Sequence, residues 1–94
     1  YSAVDTGAAE AQLIIEAVSR GLVAHPMAGF DADGARAEFG IPEQVRPLMV
    51  IAVGTLADYA TVAPEIAERD HKPRSRRPLD EVAFSGTWER PWNG

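Results

Sequence analysis

The sequence contains no cysteine and only two histidines, which limits the chemistry it can support. Without cysteine it can form neither a disulfide nor a thiolate metal site. His25 and His71 show no ligand spacing, so we predict no metal site. No apolar run approaches the roughly 18 residues that predict a membrane span. No basic segment precedes an apolar core near the start, so we expect no signal peptide and a cytoplasmic protein.

Several catalytic motifs are also missing. There is no glycine-rich phosphate loop followed by Lys and Ser or Thr, and no GxGxxG or GxSxG pattern. The carboxylates are scattered, and no pair stands out as an acid–base couple. We therefore predict no catalytic side chain. If the protein is an enzyme, a cofactor must carry the chemistry.

The length of 94 residues allows one domain at most. A chain of this size buries only about 60–65% of the surface that its unfolded form exposes. The apolar fraction of 46% is nevertheless too high for a disordered segment. Small domains without disulfides or metals depend on other help, so we expect a partner subunit or a further part of the same protein.

Basic residues are few, and they are concentrated. Residues 69–77 hold five of the nine Lys and Arg residues and one acidic residue, which gives +4. Since the net charge is −5, the other 85 residues sum to −9. This acidic background argues against nucleic-acid binding and favours a local anion site. A solvated basic turn that pairs with the acidic surface is the alternative.

The pattern of residues 3–20 predicts a long helix. One apolar stripe runs along this helix at helical spacing and consists of Val4, Ala8, Ala11, Ile15, Val18 and Leu22. Ile14, Ala17 and Gly21 widen the stripe. We expect Ser2 to cap the start, with Asp5 completing a capping box, and Gly21 to end the helix. The small residues favour either a tightly packed core helix or a subunit interface.

The middle of the chain predicts a loop, a short helix and a strand. Pro26 and Gly29 indicate a loop over residues 22–30. Asp31 and Gly40 are a good N-cap and a good stop for a helix over 32–39. A turn over 42–45 follows. The apolar run 48–55 is typical of a strand buried on both faces. Such a strand needs a partner strand, and residues 82–84 are the only other strand candidate.

The last third predicts a helical turn over 64–69 with Pro64 at its first position, then an extended tail that carries Trp88 and Trp92. In an extended segment Arg74 and Arg76 point one way and Arg77 the other, and two converging guanidinium groups suit a phosphate. In the loop, residues 26–29 could present backbone N–H groups to a ligand. A plain connection between elements is the alternative there.

Taken together, the motifs resemble the C-terminal half of the nitroreductase family of FMN-dependent NAD(P)H oxidoreductases. They follow the family's order along nearly the whole chain: AAEAQLIIEAVSRGL, PMAGF, a short helix ending in EFGIP, LMVIAVG, and RSRRPLDEV. The resemblance implies an α+β fold, of which residues 1–94 are the C-terminal part of a single domain, and an obligate homodimer with FMN at its interface.

The resemblance also assigns residues. Arg74 and Arg76 correspond to ligands of the FMN phosphate. Ala28 and Gly29 correspond to the loop whose N–H groups face the flavin N5 edge, with Pro26 and Met27 packing nearby. Some members have an acidic residue at the position of Ala28. The implied substrates are NAD(P)H and a small electron acceptor such as a nitroaromatic or a quinone.

Family members are about twice as long as this chain, and their N-terminal half contributes further flavin contacts. We therefore expect the chain to be a C-terminal piece that needs the N-terminal half to bind FMN. Two other hypotheses remain open. The chain could form a flavin-free dimerisation or regulatory module, or a small anion- or nucleic-acid-binding domain built on residues 69–77.

Overall fold

The computed structural model of the protein describes residues 1–92 and shows an α+β arrangement. The chain divides into two compact units, Tyr1–Ala57 and Asp58–Gly94. The regular elements, in chain order, are α1 (Ser2–Ser19), β1 (Val23–Met27), α2 (Ala32–Phe39), β2 (Val50–Gly54) and α3 (Pro64–Asp70). None of the helices within residues 1–92 is long and apolar enough to cross a membrane.

Helix α1 ends as predicted but begins differently. Tyr1 is the N-cap residue and makes no side-chain cap, while Ser2 already lies in the helix. The expected capping box is therefore wrong, because the helix starts one residue earlier than a Ser2 cap allows. At the other end Gly21 adopts a φ of +76°. Its N–H and that of Leu22 donate to carbonyl oxygens of the last turn at 3.0 Å, which is a Schellman motif.

Strand β1 pairs with β2 in an antiparallel ladder that runs from Val23 opposite Gly54 to Met27 opposite Val50. The prediction of a loop over 22–30 is thus wrong for its first half. Pro26 has no N–H to donate, but in a two-stranded sheet every strand is an edge, where proline is tolerated. Residues 82–84 do not supply the partner strand, because Phe84 forms only an isolated bridge to Pro91.

The chain covers its sheet only sparsely. Helix α1 lies against β1, and Ala17, at 6% exposed, is the only buried apolar residue in the part of the chain that the structure describes. Val50 and Val53 of β2 remain 40% and 48% exposed. The prediction that this strand is buried on both faces is therefore wrong within this chain, because no second layer covers it here.

Helix α2 confirms the predicted bounds. The Asp31 carboxylate accepts a hydrogen bond from the Gly34 N–H at 3.0 Å, and Gly40 ends the helix in the left-handed conformation. The predicted turn over 42–45 is also present, closed by the Val45 N–H and the Pro42 carbonyl at 3.0 Å. Both helix ends are set by local residues, which is why the sequence predicts them well.

In the second unit, α3 begins at Pro64 as predicted. Tyr59 lies beside the end of α3, with its ring 4.4 Å from the His71 ring. The prediction of an extended tail is wrong, since the chain reverses between Ala83 and Trp92. The Ser85 N–H donates to the Arg90 carbonyl at 2.9 Å, and the Trp92 N–H donates to the Ala83 carbonyl at 3.3 Å. Residues 93–94 lie outside the described part.

Candidate functional site

Residues 28–30 form a short loop between two fixed ends. On one side Met27 is the last residue of β1 and lies opposite Val50 in the ladder. On the other side Asp31 is the N-cap of α2. The loop is therefore only three residues long and is anchored by a strand and by a capped helix.

The loop presents its backbone to solvent. Within residues 1–92, the N–H groups of Ala28, Gly29 and Phe30 donate to no acceptor. Ala28 and Gly29 are exposed, and a Cβ added at Gly29 would meet no atom within 4 Å. Small side chains and unpaired amides make a backbone that an acceptor-bearing ligand can approach closely.

The other predicted residues of this region lie in the strand instead of the loop. Pro26 is exposed and lies opposite Ile51, whereas Met27 is half-buried. The structure thus brings Pro26, Met27, Ala28 and Gly29 together as the end of β1 and the start of the loop. Their position beside the loop agrees with the predicted packing role, which stays a prediction.

The predicted phosphate ligands lie in the irregular segment between α3 and the 3₁₀ turn Leu79–Glu81. Arg77 is engaged with Glu81: its Nε lies 3.3 Å from a carboxylate oxygen, and its Nη2 donates to the Glu81 carbonyl at 3.3 Å. Arg74 and Arg76 are exposed and pair with no carboxylate among the described residues. Within residues 1–92, Arg76 donates only to the Ser75 carbonyl, at 2.9 Å.

The two groups of residues belong to different units. The loop lies in Tyr1–Ala57 and the arginines lie in Asp58–Gly94. Each group is therefore described by itself as a candidate binding element. One offers backbone donors beside small side chains, and the other offers two guanidinium groups, which suit a phosphate.

Comparison with known proteins identifies the family. The model of the nitroreductase family matches residues 1–55, which is more than half of the chain. The chain belongs to the nitroreductase family. It also resembles a solved crystal structure of an oxidoreductase containing FMN, with a TM-score of 0.81 and 35% sequence identity over 90% of this chain. The predicted fold class, a nitroreductase-like α+β portion, is thereby confirmed.

A curated relative from Mycolicibacterium smegmatis, an uncharacterized 15.4 kDa protein in the ask 5' region, is 62% identical over 91 residues. The match spans 97% of this chain and 61% of that protein. The match to the solved oxidoreductase structure covers 42% of the length of that oxidoreductase chain. This nitroreductase-family chain therefore corresponds to only part of the length of both relatives.

The predicted apolar stripe of α1 is exposed in this nitroreductase-family chain. Ile15 is 68% exposed and Val18 is 60% exposed, whereas Ile14 is half-buried and Ala17 is buried. The face of α1 that holds Ala17 thus covers β1, whereas the predicted apolar stripe does not. Of the two alternatives for the stripe, a core within this chain does not fit. The subunit interface stays a prediction.

Two features were missed from the sequence. Arg36 of α2 donates from Nη2 to the Val45 carbonyl at 3.1 Å and so ties the helix to the following turn. Cavities of about 370 Å³ and about 240 Å³ also occur, the first beside Ser2, Thr6 and Arg46, the second beside Arg77 and Trp88. No spacing in the sequence signals either, because both depend on contacts between residues that are apart in the sequence.

Proposed function

We propose that the protein containing this chain is an FMN-dependent oxidoreductase that takes hydride from NAD(P)H and reduces a nitroaromatic or quinone-type acceptor. The single observation that carries the proposal is the anchored loop 28–30, whose three amide N–H groups have no acceptor within residues 1–92. Membership of the nitroreductase family and the likeness to the FMN-containing oxidoreductase support it.

The arginine segment fits the phosphate of FMN. Because Arg77 pairs with Glu81, Arg74 and Arg76 are the guanidinium groups available to an anion in the segment 73–78. A guanidinium can bind a phosphate with two parallel hydrogen bonds. We assign to Arg74 and Arg76 the role of holding the phosphate, and to Arg77 a structural role at the 3₁₀ turn.

The loop fits the ring edge of FMN. The chemistry that bound FMN supplies is the transfer of a hydride from NAD(P)H and of electrons onward to the acceptor. The part of this chain is to bind and to orient. N–H groups of Ala28 and Gly29 would donate hydrogen bonds towards the N5 edge, and such fixed donors stabilise charge that develops on reduction. Pro26 and Met27 would support the loop from the end of β1.

The exposed stripe of α1 supports the proposal of a homodimer. Val4, Ile15 and Val18 are all at least 60% exposed, and a contiguous apolar face of this kind marks an interaction surface. The alanines between them would let another backbone approach closely. We propose a second copy of the chain as the occupant of the stripe. The N-terminal half of the protein would add the remaining layer over β1 and β2.

A second candidate function rests on a different observation. Because the chain spans 61% and 42% of its two relatives, a flavin-free dimerisation or regulatory module that keeps the interface helix also fits. This alternative predicts a stable dimer without FMN. The FMN-dependent function predicts a dimer that binds FMN.

Flavin reduction tests the proposed function directly. The full-length protein, loaded with FMN and held without oxygen, is mixed with NADH or NADPH while the flavin absorbance is followed. We expect the absorbance to fall and then to recover when a quinone or a nitroaromatic is added. An absorbance that stays constant with both nucleotides would overturn the oxidoreductase function and favour the dimerisation module.

A further inference from the structure

The loop 28–30 depends on one side-chain hydrogen bond for its second anchor. The Asp31 carboxylate accepts a hydrogen bond from the Gly34 N–H at 3.0 Å. The backbone of Asp31, with a φ of −75° and a ψ of 97°, is extended at the point where the loop ends and the helix begins. A bond of this kind at an N-cap fixes the direction from which the chain enters a helix. It therefore also fixes the last residue of the loop.

Gly34 is matched to this cap. The glycine lies directly against the Asp31 side chain, since a Cβ added at Gly34 would meet one carboxylate oxygen of Asp31. The other oxygen accepts the hydrogen bond of the cap. Gly34 is the third residue of α2, and its backbone N–H is the donor to the cap.

We propose that Asp31, seated against Gly34, is a positioning residue for FMN: it holds the loop 28–30 in the conformation that offers its N–H groups to the cofactor. This inference rests on the proposed function. Asp31 itself touches no cofactor in this account and acts through the backbone of Ala28 and Gly29. Asp31 would act by keeping a large fraction of the protein in the loop conformation that binds FMN. The apparent Kd of a ligand rises as the fraction of protein in the binding conformation falls.

Two readouts separate positioning from simple stability. The first is the Kd of FMN, measured on the full-length apoprotein. The second is the midpoint potential of the bound flavin, because N5 accepts hydrogen bonds in the oxidised ring and carries a proton in the reduced ring, so displaced loop donors change the two forms unequally. A residue that only stabilises the fold changes the melting temperature without moving either readout at a temperature where the protein is folded.

The chain offers a matched control. Asp58 is also an exposed N-cap residue, and its carboxylate accepts from the Ala60 N–H at 2.9 Å. It belongs to the other unit and does not adjoin the loop in the sequence. Asp31→Ala and Asp58→Ala therefore remove the same kind of hydrogen bond. Asp31→Asn removes the charge of Asp31 but keeps an amide oxygen that caps well.

We expect Asp31→Ala to raise the Kd of FMN about fivefold, since a lost cap is worth about 1 kcal/mol. Asp31→Asn and Asp58→Ala should keep the Kd of the wild-type protein. The midpoint potential of Asp31→Ala should differ from that of Asp31→Asn, which should keep the wild-type value. Because both variants lack the charge, that difference reports the cap alone.

If Asp31→Ala does not fold, Asp31→Gly replaces it, because glycine also removes the carboxylate but costs an N-cap position only a few tenths of a kcal/mol. The same rise in Kd is expected. The inference is overturned if the variant that folds matches the wild-type protein in both readouts, or if Asp58→Ala changes them equally. A wild-type protein that binds no FMN would overturn the proposed function, and this inference with it.

Discussion

Arg77 and Glu81 form a two-point contact in which the guanidinium meets both the carboxylate and the backbone carbonyl of the same residue, each at 3.3 Å. The contact turns Arg77 towards the 3₁₀ turn Leu79–Glu81. Its neighbours Arg74 and Arg76 take no part in it. The basic segment 69–77 is therefore not uniform, and its arginines have different roles that substitutions can separate.

The exposed stripe of α1 predicts that one charge at Ile15 weakens the homodimer. In the full-length protein, Ile15→Glu should raise the dimer dissociation constant by at least about tenfold, because a buried charge without a partner is costly. Sedimentation equilibrium measures this constant. The control is Thr6→Glu, which adds the same charge at an exposed residue on the side of α1 opposite Ile15. Equal dissociation constants for the two variants would rule out the stripe as the dimer interface.

The contact between Arg36 and the Val45 carbonyl predicts a stability effect that is specific to arginine. The Arg36 side chain is 28% exposed, and its hydrogen bond to Val45 is 3.1 Å long. Arg36→Ala should lower the free energy of unfolding of the full-length protein by about 1–3 kcal/mol, since a charged donor to a backbone carbonyl is lost. Urea denaturation measures this change.

Arg46→Ala is the control for that measurement, because Arg46 is exposed and makes no ion pair within residues 1–92. It should change the free energy of unfolding by no more than about 0.5 kcal/mol. If Arg36→Ala is equally mild, the turn over 42–45 does not depend on this contact.

The sequence predicted those elements whose limits depend on adjacent residues. Helix α2 agrees at both ends because Asp31 caps it and Gly40 accepts a left-handed φ of +61°. The end of α1 agrees for the same reason at Gly21. These signals act over three or four residues and need no knowledge of the rest of the fold.

The wrong predictions concern segments whose conformation depends on residues that are far away in the sequence. Pro26 and Gly29 favour a loop locally, but Pro26 lies in β1 because Ile51, far along the chain, pairs opposite it. The tail reverses with Glu89 at a φ of +62°, a conformation that a residue other than glycine rarely adopts and that no local signal predicts. The predicted burial of β2 is wrong because, within residues 1–92, Val50 and Val53 remain 40% and 48% exposed.

The sequence predicted the candidate binding residues but not the contacts that they make. Alternation along an extended segment separated Arg77 from Arg74 and Arg76, and the structure engages Arg77 alone with a carboxylate. The small side chains of Ala28 and Gly29 signalled an approachable backbone. That the loop amides have no acceptor within residues 1–92, and that Asp31 and Gly34 fit each other, depends on three-dimensional packing that sequence spacing does not reveal.

The most direct test of the account is a titration of the full-length apoprotein with FMN, compared with its Arg74→Ala/Arg76→Ala double variant and with Arg77→Ala. We predict that the wild-type protein and Arg77→Ala bind FMN with similar Kd values. The double variant should bind at least about 100-fold more weakly, because two charge-assisted contacts of about 1.5–3 kcal/mol each are lost. A wild-type protein that binds no FMN, or a double variant that binds as tightly, would contradict the assignment.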